Sequence, residues 1–253
     1  MQNKIIVVMP AFNAAKTLEM TYSELPQEKV DSVILVDDGS SDETLRIARD
    51  LNLKVFVHAQ NFGYGANQKT CYIEALRNGA TIVVMVHPDY QYDPKLLPAL
   101  VKPIEEGVAD VIFGSRMMGK SACKEGMPWW KYLANKFLTR LENEVFGLNL
   151  SEYHTGYRAY SRQALESVNF LANSDGFVFD QDIVAQFVEC DFRIAEIPVP
   201  VRYFPEASSA SFVASVIYGL KILALLGEVV LHRKKWLTSA RLINAQQRYR
   251  AVE

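Results

Sequence analysis

His87, Asp89 and Gln91 alternate just after a short apolar run, Ile82-Val83-Val84-Met85-Val86, and Asp93-Pro94 closes the stretch. Imidazole, carboxylate and amide oxygen together make a donor set for a divalent cation. In extended backbone, residues two apart point to the same side, so all three would face one ligand. A polar loop whose His and Asp cap the next helix accounts for the same residues, and these positions alone do not separate the two readings. Two other places carry polar chemistry. Asn13 follows the apolar residues 4–9 and Pro10-Ala11-Phe12, and Asp37-Asp38-Gly39-Ser40 follows the apolar residues 32–36. Carboxylates accept hydrogen bonds from ribose hydroxyls or a base N–H. A turn with a helix cap explains each acid singly; two adjacent acids directly after a hydrophobic run favour a ligand.

These groups need rigid elements behind them. The β-branched, apolar runs at 4–9, 32–36, 53–57, 82–86 and 110–114 read as buried strands, separated by stretches with helical periodicity at 14–25, 45–51, 66–78 and 94–106. Strands alternating with helices at this spacing predict an α/β fold with a mostly parallel, doubly wound sheet and helices on both faces. Such sheets bind ligands at the carboxyl ends of their strands, which is where Asn13, Asp37, Asp38, His87 and Asp89 fall. Gly63 and Gly65 open a helix, but a phosphate loop needs glycine directly before Lys69-Thr70, where Gln68 stands. The dinucleotide fingerprint is also missing after the first strand. The two glycines therefore serve either close approach of a ligand or tight packing.

Composition narrows the class. The chain has 253 residues, 49% hydrophobic and 22% charged, with net charge −2, which is ample for one large core. Without a basic excess there is no electrostatic case for nucleic acid. Cys71, Cys123 and Cys190 are scattered and odd in number, as in a reducing cytoplasm without a disulfide framework. No opening stretch reads as a signal peptide.

Read in order, Pro10-Ala11-Phe12-Asn13, Val36-Asp37-Asp38-Gly39-Ser40, Asn61-Phe62-Gly63-Tyr64-Gly65-Ala66, His87-Pro88-Asp89-Tyr90-Gln91 and Phe113-Gly114-Ser115-Arg116 resemble glycosyltransferase family 2. Within it the chain is most similar to the dolichyl and polyprenyl-phosphate sugar synthases. The likeness continues through Thr155-Gly156-Tyr157-Arg158 and Gly176-Phe177-Val178-Phe179-Asp180-Gln181-Asp182 to Ile194-Ala195-Glu196-Ile197-Pro198-Val199, covering residues 4–210. The resemblance implies a GT-A nucleotide-sugar fold and an inverting hexosyltransferase that uses Mg²⁺ or Mn²⁺ and a UDP- or GDP-sugar. The acceptor implied is a polyprenyl phosphate, with a saccharide hydroxyl, or a non-catalytic nucleotide-sugar-binding relative, as alternatives. By position, Pro10, Phe12 and Asn13 would line the nucleoside pocket with Asp37, Asp38 and Gly65, and Asp89 and Gln91 would hold the metal. The family usually has an acid where His87 stands; imidazole there suits Mn²⁺ better than Mg²⁺, contacts the donor sugar or diphosphate, or marks a lost metal site.

On the acceptor side, the resemblance makes Arg158 and Arg116 candidates for a phosphate, for which a guanidinium fork is well suited. An ion pair of Arg158 with Asp180 or Asp182 is the competing reading. His154 and Asp182 are candidate bases for a hydroxyl acceptor. Residues 117–128 read as a loop able to close over donor, or as plain surface, and 129–146 as a helix. The domain is expected over 1–210 and a helical extension over 211–253. Its apolar run at 211–231 is interrupted by Lys221 and Glu228 and followed by His232-Arg233-Lys234-Lys235-Trp236. It suits a helix lying on the cytoplasmic membrane surface, or one packed on the domain or on a second copy in a homo-oligomer.

Overall fold

The computed structural model describes residues 3–119, 127–202 and 212–243. Most of the loop expected to close over a donor, and the end of the tail, lie outside these residues. The strands are β1 (Ile5–Ala11), β2 (Ser32–Asp37), β3 (Lys54–Val57), β4 (Ile82–Met85), β5 (Val111–Ser115), β6 (Arg158–Ser161) and β7 (Ile194–Pro198). The helices are α1 (Leu18–Ser23), α2 (Thr44–Asp50), α3 (Tyr64–Arg77), α4 (Leu97–Glu105), α5 (Trp129–Phe146), α6 (Arg162–Ser167), α7 (Phe179–Glu189) and α8 (Phe212–Arg233).

All seven strands form one sheet in the order β3-β2-β1-β4-β6-β5-β7. The expected parallel core is present in β1, β2, β3 and β4, with Ala11 level with Asp37 and Val8 level with Met85. β6, which periodicity did not reveal, runs antiparallel between β4 and β5, setting Arg158 beside both Met85 and Phe113. Because β6 is reversed, its first residues lie at the same sheet edge as the last residues of β4 and β5. The segment 153–158 is thereby carried to the carboxyl edge.

The continuous apolar runs are explained by cover on both faces. Ile6 and Val8 pack into one cluster with α3, α6, α7 and α8; Ile5, Val7 and Met9 pack into another with α1, α2 and α4. α5 ends where Gly147 takes a left-handed conformation at φ 72°, a position that favours glycine. α8 is not separate from this core, because Ile222, Leu225, Leu226 and Val229 are buried in the first cluster. The change at residue 210 is one of sequence character.

Candidate active site

At the β1–β2 end, loops are stitched by side chains. The Asn13 amide oxygen accepts from the Ser41 N–H at 2.9 Å, and the Asn13 N–H donates to Ser40 Oγ at 2.8 Å, with Asn13 at φ 51°. Pro10 is buried within β1, while Phe12 stands 53% exposed beyond its end. Asn67 donates to the carbonyls of Ala11 and Val36, holding the two strand ends together. One Asp37 oxygen accepts from the Ser40 N–H at 2.9 Å; the other is buried without a partner among the described residues. A buried carboxylate oxygen short of a donor is an open acceptor.

Asp38 differs from its neighbour. It accepts from the Phe62 and Gly63 N–H groups, each at 2.9 Å, and lies 2.7 Å from His58 Nδ1. Its oxygens are committed to the glycine-rich loop. That loop presents Phe62, half-exposed, a residue that sequence reasoning gave no role. Gly65 is explained by packing: a Cβ there would lie 2.3 Å from the Ser174 carbonyl oxygen. Of the two sequence alternatives for this glycine, close packing is the one observed.

After β4 the chain does not stay extended. It turns at residues 88–90, with Tyr90 at φ 57°, so His87, Asp89 and Gln91 do not share one face by simple alternation. The turn brings Asp89 and Gln91 together instead: Asp89 accepts from the Gln91 N–H at 3.1 Å and from the Gln91 side-chain amide at 2.8 Å. Asp93 accepts from the Lys95 N–H at 3.1 Å, the helix-capping role foreseen for an acid here. His87 stacks on Tyr64, ring centroids 5.4 Å apart, and its Nε2 is 3.2 Å from the Tyr64 hydroxyl. Burial draws the imidazole below the usual histidine range, against the upward pull of the Asp89 and Asp180 carboxylates. Gly156 makes room for the ring, since a Cβ there would come within 2.5 Å of His87 Cδ2.

Among the described residues no group of three or more His, Cys, Asp and Glu side chains is gathered for a cation. The available donor set is one imidazole, one carboxylate and one amide. Mixed nitrogen and oxygen donors of this kind fit Mn²⁺, with further ligands required from elsewhere.

Arg202, which sequence reasoning passed over, also belongs to this edge. Its N–H donates to the Gln91 carbonyl at 2.8 Å, and its guanidinium lies 4.3 Å over the Tyr90 ring and 3.6 Å from Asp93. A lone arginine after a strand leaves little trace in a sequence.

The remaining candidates are held more tightly than expected. Arg116 binds Glu152 through its side chain and backbone and donates to the His154 carbonyl at 2.7 Å. Burial would raise the Glu152 carboxyl, but the Arg116 charge and hydrogen bonds hold it below its ordinary range. Arg158 is fully enclosed. It donates to the carbonyls of Thr155, Tyr153 and Asp180 at 2.7–3.0 Å, pairs with the Asp180 carboxylate at 3.7 Å and stacks on Phe113. Of the two readings for Arg158, the ion pair is the one observed.

His154 is likewise enclosed. Its Nδ1 lies 3.1 Å from the Tyr218 hydroxyl and 3.2 Å from the Gln181 amide nitrogen, and its Nε2 lies 3.2 Å from Glu142. Asp182 accepts from the Ser174 N–H at 2.9 Å and from Arg241 at 2.8 Å, facing the C-terminal segment. Burial raises its carboxyl, against the Ser174 N–H and Arg241. The fold therefore gathers His87, Asp89 and Gln91 with Gly156, Tyr64 and Asp180, and turns Asp182 elsewhere.

Residues 6–168 match the family model described as glycosyl transferase family 2. An uncharacterised protein of Methanocaldococcus jannaschii is 30% identical over 222 residues, spanning 88% of this chain and 90% of that one. Polyprenol monophosphomannose synthase of Mycolicibacterium smegmatis is 26% identical, spanning 78% and 76%. A UDP-N-acetylglucosamine–dolichyl-phosphate N-acetylglucosaminyltransferase of Methanococcus voltae is also 26% identical, spanning 88% and 94%. Among solved structures, glucosyl-3-phosphoglycerate synthase of Mycobacterium tuberculosis, in complex with Mn²⁺ and UDP-glucose, superposes with a TM-score of 0.69 at 20% identity, over 90% of this chain and 79% of that one. That likeness carries the GT-A fold.

Proposed function

Because the chain belongs to glycosyl transferase family 2, we propose that it moves a sugar, with inversion, from a nucleotide-sugar to a polyprenyl phosphate at the cytoplasmic membrane face. One observation carries the choice of acceptor. α8 presents an outward stripe of Val213, Val216, Ile217, Leu220 and Leu231, while its Tyr218 reaches inward to His154, two residues from the glycine that seats His87. An apolar surface thus lies one side chain away from the edge where transfer would occur. The activities named for the mycobacterial and methanococcal relatives agree with a lipid-phosphate acceptor.

The nucleoside would lie over Phe12 and Phe62, with the unpartnered Asp37 oxygen accepting from the base or ribose. Pro10 and Asn13 fix the strand end behind it, and Asp38 fixes the loop. His87, Asp89 and Gln91 would hold Mn²⁺ or Mg²⁺, which when bound neutralises the diphosphate leaving group. Arg202, half-buried and paired with Glu24 and Asp93, and Arg116, anchored on Glu152, are the cations proposed to meet phosphate charge.

The acceptor phosphate oxygen would attack the sugar C1 from the face opposite the diphosphate, as the C1–O bond to the diphosphate breaks. A phosphate dianion is already a nucleophile, so no base is required. His154 is held through Nδ1 by Tyr218 and Gln181, and Asp182 by Ser174 and Arg241, so on this reading both position the fold and neither takes a proton.

α8 is long and apolar enough to cross a membrane by length and composition. Its inner face is spent on the protein core, so it is proposed to lie on the bilayer rather than through it. α5 runs alongside it: Leu138 packs near Gly219 and Arg233 reaches the Val145 carbonyl. Leu141, Val145, Leu223, Leu226 and Val230 line an apolar furrow between the two helices. Trp129, Leu133 and Phe137 on α5 are exposed, as are Lys234, Lys235 and Trp236 after α8. Lysines and tryptophans bordering an apolar face suit an anionic headgroup layer.

Two measurements test this reading. Purified protein is incubated with UDP- and GDP-sugars, with and without undecaprenyl phosphate, in Mn²⁺ or Mg²⁺. Sugar transfer to the lipid is expected; transfer only to a saccharide, or nucleotide binding without turnover, would replace the proposal by one of its alternatives. In vesicle flotation with phosphatidylglycerol, a Phe137→Glu, Leu220→Glu double variant should bind more than tenfold less than wild type. Each large apolar side chain lost from the interface removes roughly 1.5–3 kcal/mol. Equal flotation would remove this face from the membrane.

Gly156→Ala should lower turnover by about 10- to 100-fold, the size of a defect that displaces a ligand from outside its shell. Nucleotide affinity without metal should stay as in wild type. A fully active variant would mean that His87 need not occupy its present place.

A further inference from the structure

The direction of the hydrogen bonds between Asp180 and His87 decides which imidazole nitrogen carries the proton. Tyr64 has a single hydroxyl hydrogen, and it points to Asp180 Oδ2 at 2.8 Å. Asp180 also accepts from the Gln68 amide at 3.2 Å and faces the Arg158 guanidinium at 3.7 Å. Surrounded by donors, its carboxylate acts only as an acceptor. The Tyr64 oxygen, 3.2 Å from His87 Nε2, must then accept from that nitrogen, so Nε2 carries the hydrogen. In a neutral ring the lone pair then sits on Nδ1. The ring edge from Cδ2 to Nε2 is the one walled by Gly156, and Nδ1 is the atom opposite that edge.

We propose that Asp180 and Tyr64 are positioning residues that hold His87 as the Nε2–H tautomer, so that Nδ1 becomes the nitrogen ligand of the divalent cation shared with Asp89 and Gln91. This rests on the reading of residues 87–91 as the cation edge. A carboxylate commonly orients a metal-bound histidine directly; here the Tyr64 hydroxyl stands between them and keeps the ring parallel to its own by stacking, at an interplanar angle of 12°. The arrangement gives a chemical reason for imidazole at this position. A nitrogen donor fixed in the ligating tautomer favours Mn²⁺ over the harder Mg²⁺.

The relay and the cation edge are tested separately. On the metal-free protein, long-range ¹H–¹⁵N correlation reports the tautomer of each of the four histidines, with His87→Asn assigning the His87 signals. Wild type is expected to show a protonated Nε2 and a bare Nδ1 at neutral pH, and Tyr64→Phe a shift toward the other tautomer. A bare Nε2 in wild type overturns the proposal, and this reading stands even if Tyr64→Phe fails to fold. With Mn²⁺ alone, pulsed electron paramagnetic resonance should detect a directly bonded ¹⁴N in wild type and none in His87→Asn. Calorimetry should show Mn²⁺ binding about tenfold weaker in Tyr64→Phe. Unchanged affinity with the nitrogen coupling intact overturns the relay while sparing the cation edge. Absence of Mn²⁺ binding in wild type overturns the cation edge, and with it the role given to Nδ1.

Discussion

Asp89→Ala is expected to lower sugar transfer by about three orders of magnitude, corresponding to roughly 4 kcal/mol of lost transition-state stabilisation. Asp89 is the one acid of the candidate cation edge. Its two oxygens also clasp the Gln91 backbone and side-chain amides, so the substitution removes a ligand and releases its neighbour together. A bound cation contributes several kcal/mol by neutralising charge on a departing diphosphate. The loss should appear in turnover and in the metal-dependent part of nucleotide affinity. Affinity measured in chelator should be spared, because Phe12 and Asp37 are anchored on other strands. Initial rates with Mn²⁺ and calorimetry with the nucleoside diphosphate, with and without metal, provide the check. Wild-type turnover in the variant would take Asp89 out of the site.

Arg158→Ala is expected to act on folding rather than on acceptor affinity. The guanidinium is sealed among Phe113, the Asp180 carboxylate and three carbonyls, and no part of Arg158 reaches solvent. Removing it takes the compensating charge from the buried Asp180 carboxylate, which keeps only its Tyr64 and Gln68 donors, and leaves three carbonyls without the guanidinium. Breaking a buried ion pair from one side costs about 3–5 kcal/mol. For a chain of this size that lowers the melting temperature by about 10 °C. Thermal melting checks the loss, and residual activity at low temperature should show a KM for the acceptor close to wild type. A stable variant with a greatly raised acceptor KM would return Arg158 to phosphate binding.

Much of this architecture was legible in the chain. The apolar runs are strands because a sheet covered on both faces demands them, and the run at 82–86, though short, is β-branched at four of its five residues. Asn13, Asp37, Asp38, His87 and Asp89 reach one edge because parallel strands with helical returns leave all their carboxyl ends on the same side. The order of motifs pointed to the family, since no single motif did. The helix at 129–146 was readable from its periodicity, and α5 spans those residues.

What the sequence left open concerns partners rather than elements. Asp37 and Asp38 are adjacent and chemically identical, yet one keeps an unpartnered oxygen while the other is consumed by the glycine-rich loop. Gly65 suited either a ligand approach or tight packing, and the structure shows the close packing against Ser174 and Phe179. Arg158 and Asp182 looked like site groups and are held in buried pairs. The sequence by itself determined the strands, the edge on which the polar groups gather, and the departure from the family pattern at His87. Only the tertiary structure decided that reversed β6 brings Gly156 against His87, and that Tyr64 and Asp180 stand behind its ring. The reason is physical. Apolar periodicity is a local property set by burial, whereas the partner of a buried polar group is chosen by which distant segment crosses within 3 Å of it.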